Sequence, residues 1–216
     1  MLYECFDKKL GLEIASQLLR IQAIKLQPNE PFTWASGWKS PIYCDNRLSL
    51  SFPEVRKQIK DSFAHLIRHY YPDAEAIAGV ATAGIPQGAL VAEALNLPFI
   101  YVRSSAKAHG LSNQIEGKAI KGQKVVVLED LVSSGGSSLA AVKALKASEI
   151  DVLGMTAIFN YGFPIAQQNF SNDKVSLVYL SEYTLLIELA VAQGYINEAV
   201  AITLNKWREA PQDWGL

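Results

Sequence analysis

The sequence has few of the residues that mark a disulfide-rich, metal-binding or strongly charged protein. Its 216 residues include three histidines and two cysteines, Cys5 and Cys44. The cysteines lie far apart and form no CxxC pair, so we expect two reduced thiols. The formal net charge is −1, and no polybasic tail is present. Non-specific binding to nucleic acid or to a membrane surface therefore has no electrostatic support, although the net charge leaves room for a local basic site.

Long apolar runs are also missing. No stretch is long enough to cross a bilayer, and the first residues, MLYECFDKKLG, lack the basic and apolar regions of a signal peptide. Half of the residues are apolar and 19% are charged, a balance typical of a chain that buries a sizeable core. We therefore expect a cytoplasmic globular protein.

From Pro72 onward, apolar strand patterns alternate with helical ones. This alternation favours an α/β fold with a central, mostly parallel sheet flanked by helices. Residues 1–50 do not share it and are predicted to form a small N-terminal hood subdomain, packed on an α/β core of residues 51–216. Strands are predicted at 76–80, 98–102, 124–130, 151–160 and 176–181, and helices at 6–26, from Pro53, at 85–95 and at 137–147.

Two adjacent acids, Glu129 and Asp130, follow the apolar run VVVL. In open parallel sheets ligands bind at the carboxyl ends of strands, so this pair is a candidate binding site. Alternatively, one acid caps the following turn through backbone amides.

A serine- and glycine-rich loop, Ser133–Ser137, follows the acids and precedes a predicted helix. Glycines allow close approach of a ligand, and the helix N-terminus and the hydroxyls add donors for a phosphate. The fingerprints GxxxxGK and GxGxxG are absent, which argues against NTP hydrolysis and dinucleotide binding.

The whole stretch VVVLEDLVSSGGSS resembles the signature of type I phosphoribosyltransferases, which bind phosphoribosyl pyrophosphate (PRPP). This resemblance implies the type I phosphoribosyltransferase fold, with Glu129 and Asp130 on the ribose hydroxyls and the following loop on the 5-phosphate. The PRPP-binding residues that it implies in this stretch are Glu129, Asp130, Leu131, Val132, Ser133, Ser134, Gly135, Gly136 and Ser137.

A cationic segment, YVRSSAKAHGLSNQIEG (101–117), is either a solvated basic loop or a loop that clamps a polyphosphate. Its R-x-x-x-K-x-H-G pattern resembles the catalytic loop of the orotate phosphoribosyltransferase family. The resemblance implies a homodimer in which loop 103–117 completes the partner's site, with Arg103, Lys107 and His109 as catalytic residues on the pyrophosphate. Many members have a lysine where this chain has Ser104.

Two further segments resemble the same family. GVATAGIPQGA (79–89) is similar to its pyrophosphate loop, which implicates Thr82, although an ordinary strand–helix turn would also fit. Some members have lysine at the position of Ala83.

The stretch around FTWASGWKSPIYCDNRL (32–48) resembles the segment that covers orotate. It implicates Tyr43 and Lys39, together with Ser133, in orotate binding. A lysine of some members is Ala35 here, and Trp34 and Trp38 are expected to pack the subdomain on the sheet.

These resemblances imply transfer of ribose 5-phosphate from PRPP to orotate, giving orotidine 5′-monophosphate and pyrophosphate in UMP biosynthesis. Mg²⁺ would be bound through PRPP rather than directly by the protein, with Glu129 and Asp130 nearby. A purine phosphoribosyltransferase and a PRPP-sensing regulator of the same fold are the alternatives. His65 and His69 are expected to be surface or packing residues.

Overall fold

The computed structural model describes residues 1–33, 37, 39–104, 114–212 and 214. Its helices are α1 (Lys8–Arg20), α2 (Pro53–Tyr70), α3 (Gly84–Leu95), α4 (Gly136–Ala147), α5 (Pro164–Asn172), α6 (Tyr183–Ala192) and α7 (Glu198–Glu209), and a 3-10 helix covers Asn46–Ser51. Its strands are β1 (Tyr3–Cys5), β2 (Ile24–Leu26), β3 (Phe32–Thr33), β4 (Lys39–Ser40), β5 (Ile42–Cys44), β6 (Ala76–Val80), β7 (Phe99–Val102), β8 (Ile115–Glu116), β9 (Lys124–Val132), β10 (Asp151–Asn160) and β11 (Leu177–Glu182).

The largest sheet has the strand order β1-β11-β10-β9-β6-β7-β8. Its strands pair in parallel, except that β8 runs antiparallel to β7. Strand β9 lies in the middle, between β10 and β6. The predicted α/β class, with a mostly parallel sheet flanked by helices, is confirmed.

Strand β9 is buried on both faces of the sheet. Val125 and Val127 pack in an apolar cluster with α4 and α5, whereas Val126 and Leu128 pack in the cluster that includes α1, α2, α3, α6 and α7. Successive side chains of a strand point to opposite faces, so a strand covered by helices on both sides must be apolar throughout. This explains the unbroken apolar run before the two acids.

The first 50 residues form several short elements. β1 pairs with β11 at the edge of the large sheet, and α1 packs against β11 and α6. β2 pairs with β5, and β3 pairs with β4, in two small antiparallel sheets. The division into a hood of residues 1–50 and a core of residues 51–216 stays a prediction.

The predicted first helix, 6–26, is too long at both ends. Asp7 caps α1, because its Oδ1 accepts a hydrogen bond from the backbone N–H of Leu10 at 2.7 Å. The helix ends at Arg20, Gln22 adopts a φ of 57°, and Ile24 begins β2. The helical spacing of apolar residues therefore continues beyond Arg20, although the helix itself ends there.

The other predicted elements agree with the structure to within about two residues at their ends. His65 and His69 are exposed on α2, and the His65 ring meets Phe6 edge-on at a centroid distance of 5.2 Å. No helix in the described part of the chain is long and apolar enough to cross a membrane.

Helix α3 packs very closely on the sheet at two glycines. A Cβ added to Gly84 would lie 2.6 Å from the carbonyl oxygen of Leu128, and one added to Gly88 would lie 2.7 Å from the Cε2 atom of Phe99. The first neighbour is backbone of the central strand, while the second is part of a half-buried ring that can rotate. The N-terminus of α3 can therefore pack directly on the backbone of β9 only because Gly84 has no side chain.

We expect Gly84→Ala to destabilise the protein by about 1–3 kcal/mol, because α3 must move away from β9. Gly88→Ala is the matched control in the same helix. It should cost less, since the ring of Phe99 can shift and alanine is favoured over glycine in helices by about 1 kcal/mol. Urea unfolding at one fixed protein concentration measures both changes, and equal losses would contradict the prediction.

Candidate active site

The two acids at the end of β9 make contacts with different parts of the protein. Glu129 contacts α4 through Ser138, and Asp130 contacts the 3-10 helix through Asn46. The Asn46 contact is to the backbone carbonyl of Asp130, and the charge of the Asp130 carboxyl acts on that of Glu129, so the two carboxyls lie close together. Each acid is placed by a different layer of the fold.

Glu129 is 5% exposed, and both of its carboxylate oxygens have partners within the protein. Oε1 accepts from the backbone N–H of Asp130 at 3.0 Å, and Oε2 accepts from the Ser138 hydroxyl at 3.0 Å. Burial raises the pKa of Glu129 well above its ordinary value, and the charge of Asp130 raises it further. Glu129 therefore orients Asp130 and the first turn of α4, a role that the sequence did not indicate.

Asp130 lies beside a cation that the sequence analysis missed. Burial raises the pKa of Asp130, and the positive charge of Arg47 offsets part of this shift. Arg47 is held by Asp45, to which its Nε donates at 2.6 Å and its Nη2 at 2.8 Å. The pKa of Arg47 is raised chiefly by this pair and also by nearby Tyr43 and Asp130. Arg47 thus connects the segment around Tyr43 to the acids.

The serine–glycine loop is braced from behind by α5. Gly135 has a φ of 79°, and a Cβ there would lie 2.7 Å from the Cε2 atom of Phe170. The side-chain amide of Asn169 donates to the Ser134 carbonyl at 3.0 Å. Only glycine combines this left-handed backbone with such close packing at low cost. Neither Asn169 nor Phe170 could be linked to the loop from the sequence, because they lie more than 30 residues away.

The same loop leads directly into the N-terminus of α4. Gly135 is the N-cap and gives no side-chain cap hydrogen bond, and the first helical bond runs from the N–H of Leu139 to the Gly135 carbonyl. The N–H groups that precede Leu139 in the first turn point out of the helix end. Together with the exposed hydroxyls of Ser134 and Ser137, they provide hydrogen-bond donors suited to an anion.

A second helix N-terminus follows β6, the parallel neighbour of β9 in the sheet. Helix α3 begins at Gly84, and its N-cap, Ala83, provides no side-chain hydrogen bond. Thr82 is exposed just before it, after a cis peptide bond from Ala81. Gly84 packs against Leu128 of β9, the residue directly before Glu129. The N-terminus of α3 therefore lies close to the two acids.

The remaining predicted site residues are only partly described. After β7, Arg103 lies 3.7 Å from Glu116 as an ion pair, and its backbone N–H donates to the Gln114 carbonyl at 2.8 Å. This pairing brings together the two ends of the predicted catalytic loop. Lys107 and His109 lie outside the described residues, as do Ala35, Trp34 and Trp38.

The segment predicted to cover a base places aromatic and cationic groups near one another. Tyr43 is 38% exposed, and its ring lies 5.4 Å from that of Phe32, tilted by 37°. Lys39 donates to the Thr33 hydroxyl at 2.7 Å. Ser133 is half-buried in the loop after β9.

The described groups together suit a phosphorylated sugar. Two helix N-termini and a hydroxyl-rich loop favour anions, while buried carboxylates accept hydrogen bonds from hydroxyl groups. The acids lie beside Gly84 at the start of α3 and a few residues before the start of α4, so a ligand with a phosphate at each end and hydroxyls in the middle matches this arrangement.

Comparison with known proteins gives consistent results. Residues 50–167 match the family described as a phosphoribosyl transferase domain. The chain is 58% identical over 202 residues to the orotate phosphoribosyltransferase of Cytophaga hutchinsonii, covering 94% of this chain and 97% of that protein. The structure is similar to the orotate phosphoribosyltransferase of Aeropyrum pernix, with 27% identity, a TM-score of 0.74, and coverage of 85% and 99% of the two chains.

The fold is also similar to that of the Mycobacterium tuberculosis orotate phosphoribosyltransferase in complex with PRPP. The TM-score is 0.65 at 20% identity, and the match covers 82% of this chain and 98% of that one.

We expect Glu129→Gln to stabilise the protein at neutral pH. The folded-state pKa of Glu129 is raised above its ordinary value of 4.5, so the folded state retains a proton that the unfolded state releases. The wild-type free energy of unfolding therefore falls as pH rises through this window, by about 1.4 kcal/mol for each unit of pKa shift. The neutral glutamine removes this loss while keeping its shape.

Urea unfolding between about pH 4 and about pH 8 measures the effect. The advantage of Glu129→Gln should grow as pH rises and be smallest at the acidic end. Glu93→Gln, which changes an exposed carboxylate, is the control and should leave the pH dependence unchanged. An advantage of Glu129→Gln that is greatest at low pH would contradict the prediction.

Proposed function

The chain belongs to the orotate phosphoribosyltransferase family, and we propose that its substrates react at the edge of the sheet around Glu129 and Asp130. It transfers the ribose 5-phosphate group from PRPP to orotate, giving orotidine 5′-monophosphate and pyrophosphate, a step in pyrimidine biosynthesis. The observation that supports this location most is the meeting of the buried Glu129 and the half-buried Asp130 with the N-termini of α3 and α4.

PRPP lies across this edge with its 5-phosphate on the loop that begins α4. Backbone N–H groups and hydroxyls of Ser133–Ser137 hold the phosphate, assisted by the positive end of the helix. Residues Leu131 and Val132 carry the backbone from the acids to the loop. Asp130 accepts from the ribose hydroxyls, and Glu129 contributes mainly by orienting Asp130, because its oxygens already accept two hydrogen bonds.

The pyrophosphate of PRPP points toward the N-terminus of α3. The exposed Thr82 hydroxyl and nearby N–H groups bind it from one side. Loop 103–117 of a second subunit covers the other side, where Arg103, Lys107 and His109 neutralise the charge that develops as pyrophosphate leaves. The functional unit in this proposal is a homodimer.

Orotate lies against Tyr43, with Lys39 and Ser133 at its edge. Tyr43 is exposed beside Phe32 and near Arg47, so the ring has an aromatic surface and a cationic neighbour. Orotate carries a carboxylate, which favours such a setting. In this chain Ala83 and Ser104 replace lysines of some relatives.

Mg²⁺ fits the donor chemistry of this edge. It prefers oxygen ligands and binds through few carboxylates together with substrate phosphates. Among the described residues, no three His, Cys, Asp or Glu side chains cluster as a metal-binding group, whereas Glu129 and Asp130 offer carboxylate oxygens. We therefore assign Mg²⁺ to PRPP, with these two acids beside it; when bound, it neutralises phosphate charge.

The reaction requires displacement at the anomeric carbon of the ribose, with oxocarbenium character in the transition state. The protein contributes by positioning both substrates, by stabilising the departing pyrophosphate and by excluding water. Asp130 fixes the ribose, the loop before α4 fixes its phosphate, and Tyr43 fixes the base.

We place the reaction in the cytoplasm, consistent with Cys5 and Cys44 both being free thiols.

The assignment of the loop predicts that Lys107→Ala lowers kcat by a factor of about 100 or more, because a charge on the leaving group is lost. Lys118→Ala, an exposed lysine just beyond the loop, is the matched control and should stay within about twofold of wild type. Formation of orotidine 5′-monophosphate from PRPP and orotate with Mg²⁺ is the assay.

The same assay tests which base is used. Hypoxanthine and adenine serve as alternative bases, and turnover of a purine without orotate turnover would overturn the proposal.

The shared site predicts complementation between two inactive variants. In a mixture of Lys107→Ala and Asp130→Ala chains, each heterodimer contains one site that lacks both substitutions, so activity should return. With equal amounts and random pairing, about half of the dimers are heterodimers, and each has one intact site of its two, so about one quarter of wild-type activity is expected. If subunit exchange is confirmed by mass spectrometry and no activity returns, the loop acts within its own subunit.

A further inference from the structure

Three buried polar side chains form a continuous hydrogen-bonded path behind the acids. These are Asn46 and Ser49 of the 3-10 helix and Gln87 of α3, which we call the Asn46–Gln87 network. They are 1%, 0% and 2% exposed, respectively. Such groups are costly to bury and are retained where hydrogen bonds satisfy them.

The path begins at the backbone of Asp130. The side-chain amide of Asn46 donates to the Asp130 carbonyl at 2.7 Å. The Cys44 thiol in turn donates to Oδ1 of Asn46 at 3.4 Å, which fixes the orientation of the amide. Since Glu129 already accepts from the Asp130 N–H, the backbone of Asp130 is held on both sides.

The path continues to α3. The Ser49 hydroxyl donates to the Asn46 carbonyl at 2.6 Å and accepts from Nε2 of Gln87 at 3.1 Å. Gln87 lies in the first turn of α3, three residues after Gly84. The network therefore links the acid pair to the helix end assigned to pyrophosphate, through the segment that follows Tyr43.

Gln87 is not accounted for by packing alone. Its Oε1 is buried without a hydrogen-bond partner among the residues that the structure describes, while its Nε2 donates to Ser49. An apolar residue of similar shape would avoid this cost. The presence of an amide at this position therefore indicates that its hydrogen bond to Ser49 has a structural role.

We propose that Asn46, Ser49 and Gln87 are positioning residues for PRPP, which fix Asp130 and the N-terminus of α3 relative to each other. This inference rests on the proposed function, in which these two elements bind the ribose and the pyrophosphate of one substrate. A ligand that spans both elements is bound well only if their spacing is fixed. Displacement of a binding group by about 1 Å can cost a factor of about 100 in rate.

Two single variants and a matched control test the network. Ser49→Ala and Gln87→Met each remove the bond between the 3-10 helix and α3 with little change in shape. Ser181→Ala is the control, because Ser181 is also fully buried and its hydroxyl also donates to a backbone carbonyl, that of Gly11 at 2.8 Å. Thermal unfolding, kcat, KM for each substrate and Kd for PRPP are measured for all three.

We expect Ser49→Ala and Ser181→Ala to lower Tm by similar amounts. Only Ser49→Ala and Gln87→Met should raise Kd and KM for PRPP, with a loss of about tenfold or more in kcat/KM. The double variant Ser49→Ala/Gln87→Met should be no worse than the more affected single variant, because both changes break the same bond. Ser49→Cys, which keeps a weak donor, should recover part of the loss.

Two outcomes overturn different statements. If Asp130→Asn binds and turns over PRPP like wild type, the proposed site is wrong and the inference fails with it. If Asp130→Asn is impaired but the network variants match Ser181→Ala in Kd, KM and kcat, the site stands and the positioning role is wrong.

Discussion

The burial of strand β9 on both faces is the constraint on which the rest of the structure depends. Its apolar run supports helices on either side, and its last polar residues emerge where the sheet opens to a ligand. The acids cannot stay charged and unpartnered at such a position. The Glu129 carboxylate accepts from Ser138 of α4, whereas Asp130 is held through its backbone carbonyl by Asn46 and has the charge of Arg47 near its carboxyl.

In the proposed site, close backbone contacts bring two helix N-termini to this strand end. Gly84 lets α3 meet Leu128, and Gly135 lets the phosphate loop lie on Phe170. As a result, two helix N-termini flank one pair of carboxylates, and their dipoles favour the phosphate groups of PRPP. In the proposed site, the spacing of these elements, rather than any one side chain, matches a substrate with phosphates at both ends.

Electrostatics at this edge are balanced between burial and nearby cations. Burial raises the pKa of both acids, which opposes their ionised forms. Arg47 lowers the pKa of Asp130 in part, and hydroxyl donors or a cation brought by a substrate would favour ionisation further. Substrate binding and the charge of the pair are therefore thermodynamically linked, and the same linkage underlies the expected pH dependence of stability.

The sequence by itself determined the alternation of strands and helices, the acids at the end of β9 and the glycine loop, because these depend on neighbours within a few residues. The helix predicted from the sequence was longer than α1, because the spacing of apolar residues does not reveal the backbone turn at Gln22. Only the tertiary structure decided that Glu129 faces α4, that Arg47 lies near Asp130, and that Asn46 binds the carbonyl of a residue 84 positions away. Contacts of that kind depend on how separate elements pack, and local residue patterns carry no record of that geometry.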